Sequence, residues 1–274
     1  MNQNKVIILV ACHKPDKAKK NEVYIPIHVG RSISKYKEEM KDMIGDDSGD
    51  NISEKNPFYS ELTAQYWAWK NLNSEYVGLC HYRRYFEKEI TVENVDIIID
   101  SKYDVLQVRP IVEKQSIANK LITSTCMEDF IILIKCIKKL YPEYLEDTKS
   151  VLRGNKNSPF NMFVMRKNEF DKFAEWQFNI LFETEKYIRL SSYSRRRRVF
   201  GYLSEVLLSI YCKHNSLNVR YMDWVPMIGE QVSRPKLRML KEWIRTIRFK
   251  ILSPEVYFEN EPVAVGFRID GIDL

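Results

Sequence analysis

"KVIILVAC", residues 5–12, is an apolar run without a polar face, rich in β-branched Val6, Ile7, Ile8 and Val10. It is too short for a typical helix, and its pattern is that of a strand covered on both sides in an α/β sheet. His13-Lys14-Pro15 follow at once, where a loop after such a strand would face a ligand. Working outward, YIPIHVG (24–30) is a second short extended piece. YVGLCHYRRYF (76–86) begins as a buried strand through Val77, Leu79 and Cys80, then meets His81, two arginines and two aromatics. VDIIIDS (95–101), YDVLQVR (103–109), FNMFVMRK (160–167) and VRYMDWVPM (219–227) read as further extended segments. Helical patterns lie between them. They cover YSELTAQYWAWKNL (59–72) with Ser60 as its cap, 116–152 with a break near Pro142, EFDKFAEWQFNILFETEKYI (169–188) and VFGYLSEVLLSIYCKHN (199–215). Strands alternating with helices define an α/β class.

The chain has 274 residues and is 45% hydrophobic, enough for a large core. Its five cysteines (12, 80, 126, 136 and 212) are scattered and contain no CxxC pair, which fits reduced thiols better than a disulfide frame or zinc site. The apolar run near the N-terminus is too short for a signal peptide, and no stretch is long enough to span a bilayer, so a cytoplasmic protein is expected. The net charge of +6 is unevenly placed. Residues 234–252 hold seven Lys or Arg against Glu242 alone, and "RRRR" occupies 195–198, leaving an acidic body with two basic patches. In 234–252, Leu237, Leu240, Trp243, Ile244, Ile247 and Ile251 recur at three- and four-residue steps, the pattern of an in-plane interfacial helix. An anionic membrane surface or a partner groove suits it better than nucleic acid, since no RNP, KH or helix-turn-helix signature accompanies it. The expected division is therefore 1–230 as the main domain and 231–274 as a basic extension.

Four groups of residues bear on chemistry. If 76–86 continues as one strand, His81, Arg83 and Tyr85 share one face and Tyr82, Arg84 and Phe86 the other. One guanidinium would then grip phosphate oxygens at the strand's carboxyl end, where α/β sheets place ligands. A solvated or salt-bridged strand edge accounts equally well for two adjacent arginines. The loop GDDSGDN (45–51) lacks the Gly and Glu positions of a calcium loop. Its carboxylates read as solvated, with Asp50 and Asn51 also able to hydrogen-bond a ribose or base. Glu205 lies among Leu203, Val206, Leu207 and Ile210, where partial burial would suit a general base, and where it could also pair with an arginine of 195–198. Trp67 and Trp69 read as packing residues.

YSELTAQYWAWKN, YVGLCHYRRYF, FNMFVMRKNEF and RVFGYLSE, in that order, resemble the bacterial DUF4422 family of glycosyltransferase-like proteins. ACHKP, IHVG and GDNIS extend the resemblance across roughly residues 5–227. It implies a GT-A-like, Rossmann-like mixed sheet flanked by helices, here followed by the basic amphipathic C-terminal helix. It also implies a nucleotide-sugar transferase of capsule, exopolysaccharide or O-antigen synthesis, with some members similar to galactofuranosyltransferases that use UDP-galactofuranose; UDP-galactose and UDP-glucose remain alternative donors. Where that fold usually carries an Asp-x-Asp metal motif, this chain has His81-Tyr82-Arg83-Arg84. Guanidinium groups can neutralise a leaving diphosphate in place of a cation, so metal-independent transfer is expected, while the acidic loop leaves Mn²⁺ or Mg²⁺ open. On this resemblance uridine would lie near Ala11, His13 and the 28–31 loop, with Asp50 and Asn51 beside it. His81, Arg83 and Arg84 would hold the diphosphate, Glu205 would be the base of an inverting displacement, and Arg197 or Arg198 would touch phosphate or orient Glu205. The acceptor would be a glycan on undecaprenyl diphosphate, reached from the inner membrane face. A non-catalytic basic binding protein and a metal-dependent phosphotransferase using 45–51 are the competing readings.

Overall fold

The computed structural model describes residues 5–191, 197–228, 231–232, 240, 243–244, 247, 261–269 and 271. They fall into two compact units: Met1–Arg109, Phe160–Trp176 and Leu217–Arg234 form the first, and Pro110–Pro159, Gln177–Ser216 and Pro235–Leu274 the second.

The strands in chain order begin with β1 (Val6–Cys12), β2 (Tyr24–His28), β3 (Ile44–Gly45), β4 (Tyr76–His81), β5 (Arg84–Phe86) and β6 (Val105–Val108). They continue with β7 (Ile111–Val112), β8 (Lys156–Asn157), β9 (Phe163–Arg166), β10 (Val219–Met222), β11 (Trp224–Ile228) and β12 (Gln231–Val232). The helices are α1 (Asn56–Tyr59), α2 (Leu62–Asn71), α3 (Val95–Ile98), α4 (Ile117–Leu121), α5 (Met127–Leu140), α6 (Leu145–Arg153), α7 (Lys167–Glu185), α8 (Val199–His214) and α9 (Pro262–Ile269).

The first unit is built on a mixed sheet of order β10-β6-β9-β4-β1-β2-β3. β1 is parallel to both β2 and β4, β2 is parallel to β3, and β6 is parallel to β10. β9 runs antiparallel between β4 and β6. All seven residues of β1 are buried, as expected of a central strand with both faces covered. Val6, Ile8, Val10 and Cys12 enter one core cluster together with Tyr24 and Tyr76, following the two-residue period of strand side chains. The chain moves outward from β1 to β2 and β3, then returns to lay β4 on the other side of β1. The carboxyl ends of β1 and β4 are thus the topological switch point of the sheet.

Gly78, in the middle of β4, is required by close approach. A Cβ there would lie 2.8 Å from Val164 Cγ2, 2.9 Å from the Phe163 carbonyl oxygen and 3.0 Å from Ile8 Cγ1. These contacts come from the strands on both sides, β1 and β9.

Three sequence readings change in this unit. VDIIIDS forms α3 in place of a strand: Val95 and Ile98, three residues apart, are buried, while Ile97 is 66% exposed. Thr91 and Asn94 fix that turn by reciprocal bonds, Thr91 N–H to Asn94 Oδ1 at 2.9 Å and Asn94 N–H to Thr91 Oγ1 at 3.3 Å. The helix expected over 59–72 is formed by α2 alone, preceded by the separate turn α1, and Glu61, not Ser60, stands at its cap position without a side-chain cap bond from the described residues. Ser60 sits between them with φ 54°, stabilised by Asn56 Nδ2, which donates to its carbonyl at 2.8 Å. The 76–86 stretch is a hairpin, described below with the site.

The second unit contains α4, α5, α6, α8, α9 and the small antiparallel pair β7–β8; the long α7 gives its residues 177–185 to it. Ser116 caps α4 by accepting the Asn119 N–H at 3.0 Å. The Glu261 carboxylate in turn accepts the Ser116 N–H at 2.9 Å and its hydroxyl. Val263 and Ala264 of α9 are buried, so this C-terminal helix is part of the second unit's core. The Glu183 carboxyl is held at about 2, first by Lys139 and then by Lys186 and the Tyr187 hydroxyl. None of the five cysteines is joined in a disulfide. No described helix is long and apolar enough to cross a membrane. The basic segment 234–252 lies outside the described residues except at 240, 243, 244 and 247, where Leu240, Trp243 and Ile244 are exposed.

Gly78→Ala should destabilise the protein by about 1–3 kcal/mol through overpacking against a backbone carbonyl. Thermal melting should show a fall of about 2–4 °C per kcal/mol for a chain of this size. An unchanged midpoint would mean that β4 and β9 can separate at little cost.

Candidate functional site

β4 ends at His81 and β5 begins at Arg84, and these two residues pair across a tight turn made by Tyr82 and Arg83. The expectation of one continuous strand placing Arg83 and Arg84 on opposite faces is therefore corrected. The reason is packing. Tyr82 is buried, its N–H donates to the Ala11 carbonyl at 3.3 Å, and the chain must reverse to bring buried Tyr85 and Phe86 against β11. Both backbone groups of Arg83 are engaged: its N–H reaches His81 Nδ1 at 3.3 Å, and its carbonyl accepts the Met227 N–H at 3.0 Å.

The turn gathers polar groups at the switch point. The His13 ring lies 6.1 Å from that of His81 and meets Tyr82 edge-on at 5.6 Å. The Arg83 guanidinium carbon is 5.0 Å from the Tyr82 ring centre. Arg83 Nε and Nη2 both donate to Asp16 Oδ2, at 3.2 and 2.8 Å. This hydrogen bonding holds the Asp16 carboxyl below the usual carboxylate range. The Arg83 side chain is 51% exposed, so the pair adds at most about 1 kcal/mol to stability. The Arg84 guanidinium carbon lies 4.3 Å from the Phe160 ring, which meets Trp224 edge-on at 5.0 Å.

The acidic loop is not uniformly solvated. Asp46 is fully buried and accepts the N–H groups of Gly30 at 2.7 Å and Arg31 at 3.1 Å, along with the Ser53 hydroxyl. It thereby fastens the loop after β2, where Gly30 has φ 67° and no room for a side chain against Asn56. Asp47 faces Arg31 at 3.9 Å. Asp50 accepts the Tyr66 hydroxyl at 3.1 Å, and Asn51 bridges the Gly49 carbonyl and the Ser53 N–H. Burial, with Asp50 in second place, pushes the Tyr66 phenol up to about 12. Trp67 serves the same loop, donating Nε1–H to Ser48 Oγ at 2.9 Å. The carboxylates of this loop meet backbone, hydroxyl and guanidinium groups of the protein. No group of three or more His, Cys, Asp or Glu is arranged to hold a metal among the described residues. Beside the loop, His28 is fully buried with neither ring nitrogen hydrogen-bonded, and burial lowers its pKa.

The structure thus brings together Ala11, His13, His81, Arg83 and Arg84 at the carboxyl ends of β1 and β4. Asp50 and Asn51 belong to the loop after β3 and are held against α2. Glu205, Arg197 and Arg198 belong to the second unit. Glu205 is half-buried on α8 between buried Ser204 and Val206. Arg197 and Arg198 are exposed just before that helix, Arg198 with φ 67°. Residues 195–196 lie outside the described residues. Sequence reading missed Asp16, Tyr82, Phe160 and Asp46. Asp16 left a trace, as the one acid among the lysines of HKPDKAKK (13–20). Asp46 and Tyr82 lay in stretches already singled out, but their partners did not show in the sequence, and Phe160 left no trace.

The mixed sheet flanked by helices is a glycosyltransferase fold, as a structural match shows. The chain matches the apo structure of the WbbM bifunctional glycosyltransferase with a TM-score of 0.72 and 29% identity. The match covers 84% of this chain and 46% of WbbM, so the chain spans about half of that protein's length. The chain belongs to the DUF4422 family, a domain of unknown function, which matches residues 7–216. No curated protein matches it.

The Asp16–Arg83 pair makes a titration prediction. Asp16 has a depressed folded-state pKa, so its contribution to stability is complete above the unfolded value of about 3.9 and is lost as pH falls through the depressed value. Carboxyl-carbon NMR should show Asp16 titrating below that value in the wild type and returning toward it in Arg83→Ala. Equal titration in both proteins would show that the pair does not form in solution.

Proposed function

We propose that the protein is a GT-A-type glycosyltransferase that moves a sugar from a UDP-sugar to a lipid-linked glycan. UDP-galactofuranose is the favoured donor, undecaprenyl diphosphate the favoured carrier, and capsule, exopolysaccharide or O-antigen synthesis the setting. The observation that carries this reading is the arginine turn at the β1–β4 switch point, in a chain that shares its fold with a glycosyltransferase. Open α/β sheets bind their ligands at such a point.

The chemistry is a single displacement. An acceptor hydroxyl oxygen attacks the anomeric carbon, the bond from that carbon to the diphosphate oxygen breaks, and UDP leaves with the electron pair. Negative charge grows on the diphosphate as it departs, and donors fixed in advance at that place lower the barrier. Arg83 and Arg84 supply guanidinium groups for it, with His13 and His81 beside them. Arg83 is suited to this because its backbone is pinned on both sides and Asp16 orients its Nε–Nη2 edge, directing the remaining N–H groups elsewhere. Ala11 and the 28–31 loop, fastened by Asp46, form the uridine side, with Asp50 and Asn51 as further polar contacts. Glu205 takes the acceptor proton, and inversion at the anomeric carbon follows from the single displacement. Arg197 or Arg198 contacts phosphate or orients Glu205. In this reading guanidinium groups, not a divalent cation, neutralise the leaving group.

The enzyme would work at the inner membrane face, attached peripherally through the basic segment. Leu240, Trp243 and Ile244, exposed at 53%, 61% and 51%, support an interfacial role for it.

Two measurements test this reading. Calorimetric titration of UDP, UDP-galactofuranose, UDP-galactose and UDP-glucose in the presence of EDTA should show binding to the wild type and at least tenfold weaker binding to Arg83→Ala. Binding only after Mn²⁺ is added would make donor capture metal-dependent, and no binding under any condition would overturn the transferase reading. For the membrane, the protein should pellet with phosphatidylglycerol vesicles, less so as salt rises, and a Trp243→Ser, Ile244→Ser double variant should remain in solution. Substitution is preferable to truncation here, because deleting 234–274 also removes Glu261, Val263 and Ala264 from the second unit's core. Failure of the wild type to pellet would sink the membrane assignment alone.

A further inference from the structure

A carboxylate outside the set above stands at the same end of the first unit. Glu61 immediately precedes α2, and its Oε1 accepts the Asn161 Nδ2–H at 2.8 Å. Strand register explains this meeting of residues a hundred positions apart. Phe163 of β9 pairs antiparallel with Leu79 of β4, so the chain entering β9 passes beside the carboxyl end of β4, next to the His81–Arg84 turn. A short path of contacts then joins that turn to Glu61: Arg84 lies over the Phe160 ring at 4.3 Å, Asn161 is the next residue, and Asn161 holds Glu61.

The backbone on both sides of this contact is held in conformations that side chains resist. Phe160 has φ 79° and Asn161 φ 52°, two consecutive left-handed residues without a glycine, and Ser60 has φ 54°. Five non-glycine residues have positive φ among the described residues, and three of them flank this one contact. Such conformations persist only where the surroundings over-determine them, and they gather where a side chain must be aimed. The surroundings here do so. Asn56 donates to the Ser60 carbonyl at 2.8 Å and to Thr63 Oγ1 at 3.3 Å, and Phe160 is held between Arg84 and Trp224. Asn161 is buried, while Glu61 is only half-buried. Its Oε1 is fixed by Asn161, and its Oε2 takes no hydrogen bond from the described residues.

We propose that Glu61, aimed by Asn161, binds hydroxyl groups of the sugar being transferred and so helps determine which sugar is accepted. This rests on the UDP-sugar reading above. In that reading the two arginines serve the diphosphate, and the contacts from Arg84 through Phe160 to Asn161 tie Glu61 to the same end of the sheet, so the sugar carried by the diphosphate is the ligand assigned to it. A carboxylate with a fixed orientation is a strong acceptor for sugar hydroxyls, because its hydrogen bonds are charge-assisted. It discriminates between sugars because an epimer that turns a hydroxyl away leaves the carboxylate unpaired.

The test is calorimetric titration of wild type and Glu61→Gln with UDP, and with whichever of UDP-galactofuranose, UDP-galactose and UDP-glucose binds the wild type tightest. Glutamine keeps the Oε1 acceptor for Asn161, and retained UDP affinity reports that the variant is folded. The expected result is unchanged UDP affinity and at least tenfold weaker UDP-sugar affinity. Equal affinity of the two proteins for the UDP-sugar would overturn the assignment, as would a matching loss for UDP and UDP-sugar. Intact UDP-sugar binding with turnover abolished would also overturn it, by making Glu61 a general base. A wild type that binds the UDP-sugar no better than UDP would remove the sugar subsite, whereas a wild type that binds no UDP at all would remove the donor reading beneath it.

Discussion

The parallel pairing of β1 with β4 is the constraint on which the rest of the first unit depends. It runs in register from Val6 against Tyr76 to Ala11 against His81. Gly78 allows it, because a side chain at that position would strike Ile8 on one side and the backbone of Phe163 on the other. With β4 seated there, β9 follows on its far edge, and the carboxyl ends of β1 and β4 stop level with one another. His13 and the His81–Arg84 turn meet as a consequence. Burial makes this arrangement cooperative: β1 is covered on both faces, so its polar neighbours can emerge only at its ends.

Charge at that end is arranged by partners, not left to solvent. Asp16 takes two donors of Arg83, Phe160 carries Arg84, and Asp46 spends its acceptors on the backbone of the loop after β2. Each contact reduces the number of orientations a flexible group can adopt, and so lowers the entropy lost when a ligand binds. The same logic covers Glu61, whose fixed oxygen is bonded through a backbone held in left-handed conformations. The cost of those conformations is borne by the packing of Phe160 and the hydrogen bonds of Asn56.

Much of the fold was legible in the residues. Central strand β1, the long amphipathic helix α7 and the apolar helix α8 read correctly because their patterns are long and local. Two of the errors fell where the pattern was short. VDIIIDS is apolar enough for either a strand or a helix, and Thr91 with Asn94 decided for a helical turn. HYRRYF reads as a strand by its alternation, yet Tyr82 finds a buried place beneath His13 and the chain turns. The position of Ala11, His13, His81, Arg83 and Arg84 at or just after the carboxyl ends of β1 and β4 was legible, because apolar strands announce where they end.

The amino-acid sequence by itself determined the α/β class, the central strand, the concentration of cationic groups after β4 and the family. These follow from local periodicity and from side-chain chemistry carried by single segments. The tertiary structure alone decided that Asp46 is a buried clasp, that Asp16 is the partner of Arg83, and that Asn161 is brought to Glu61. The physical reason is common to all three. Arg31 and Asp46, Asp16 and Arg83, and Glu61 and Asn161 stand 15, 67 and 100 positions apart, and strand register, which no single segment encodes, sets which of them meet.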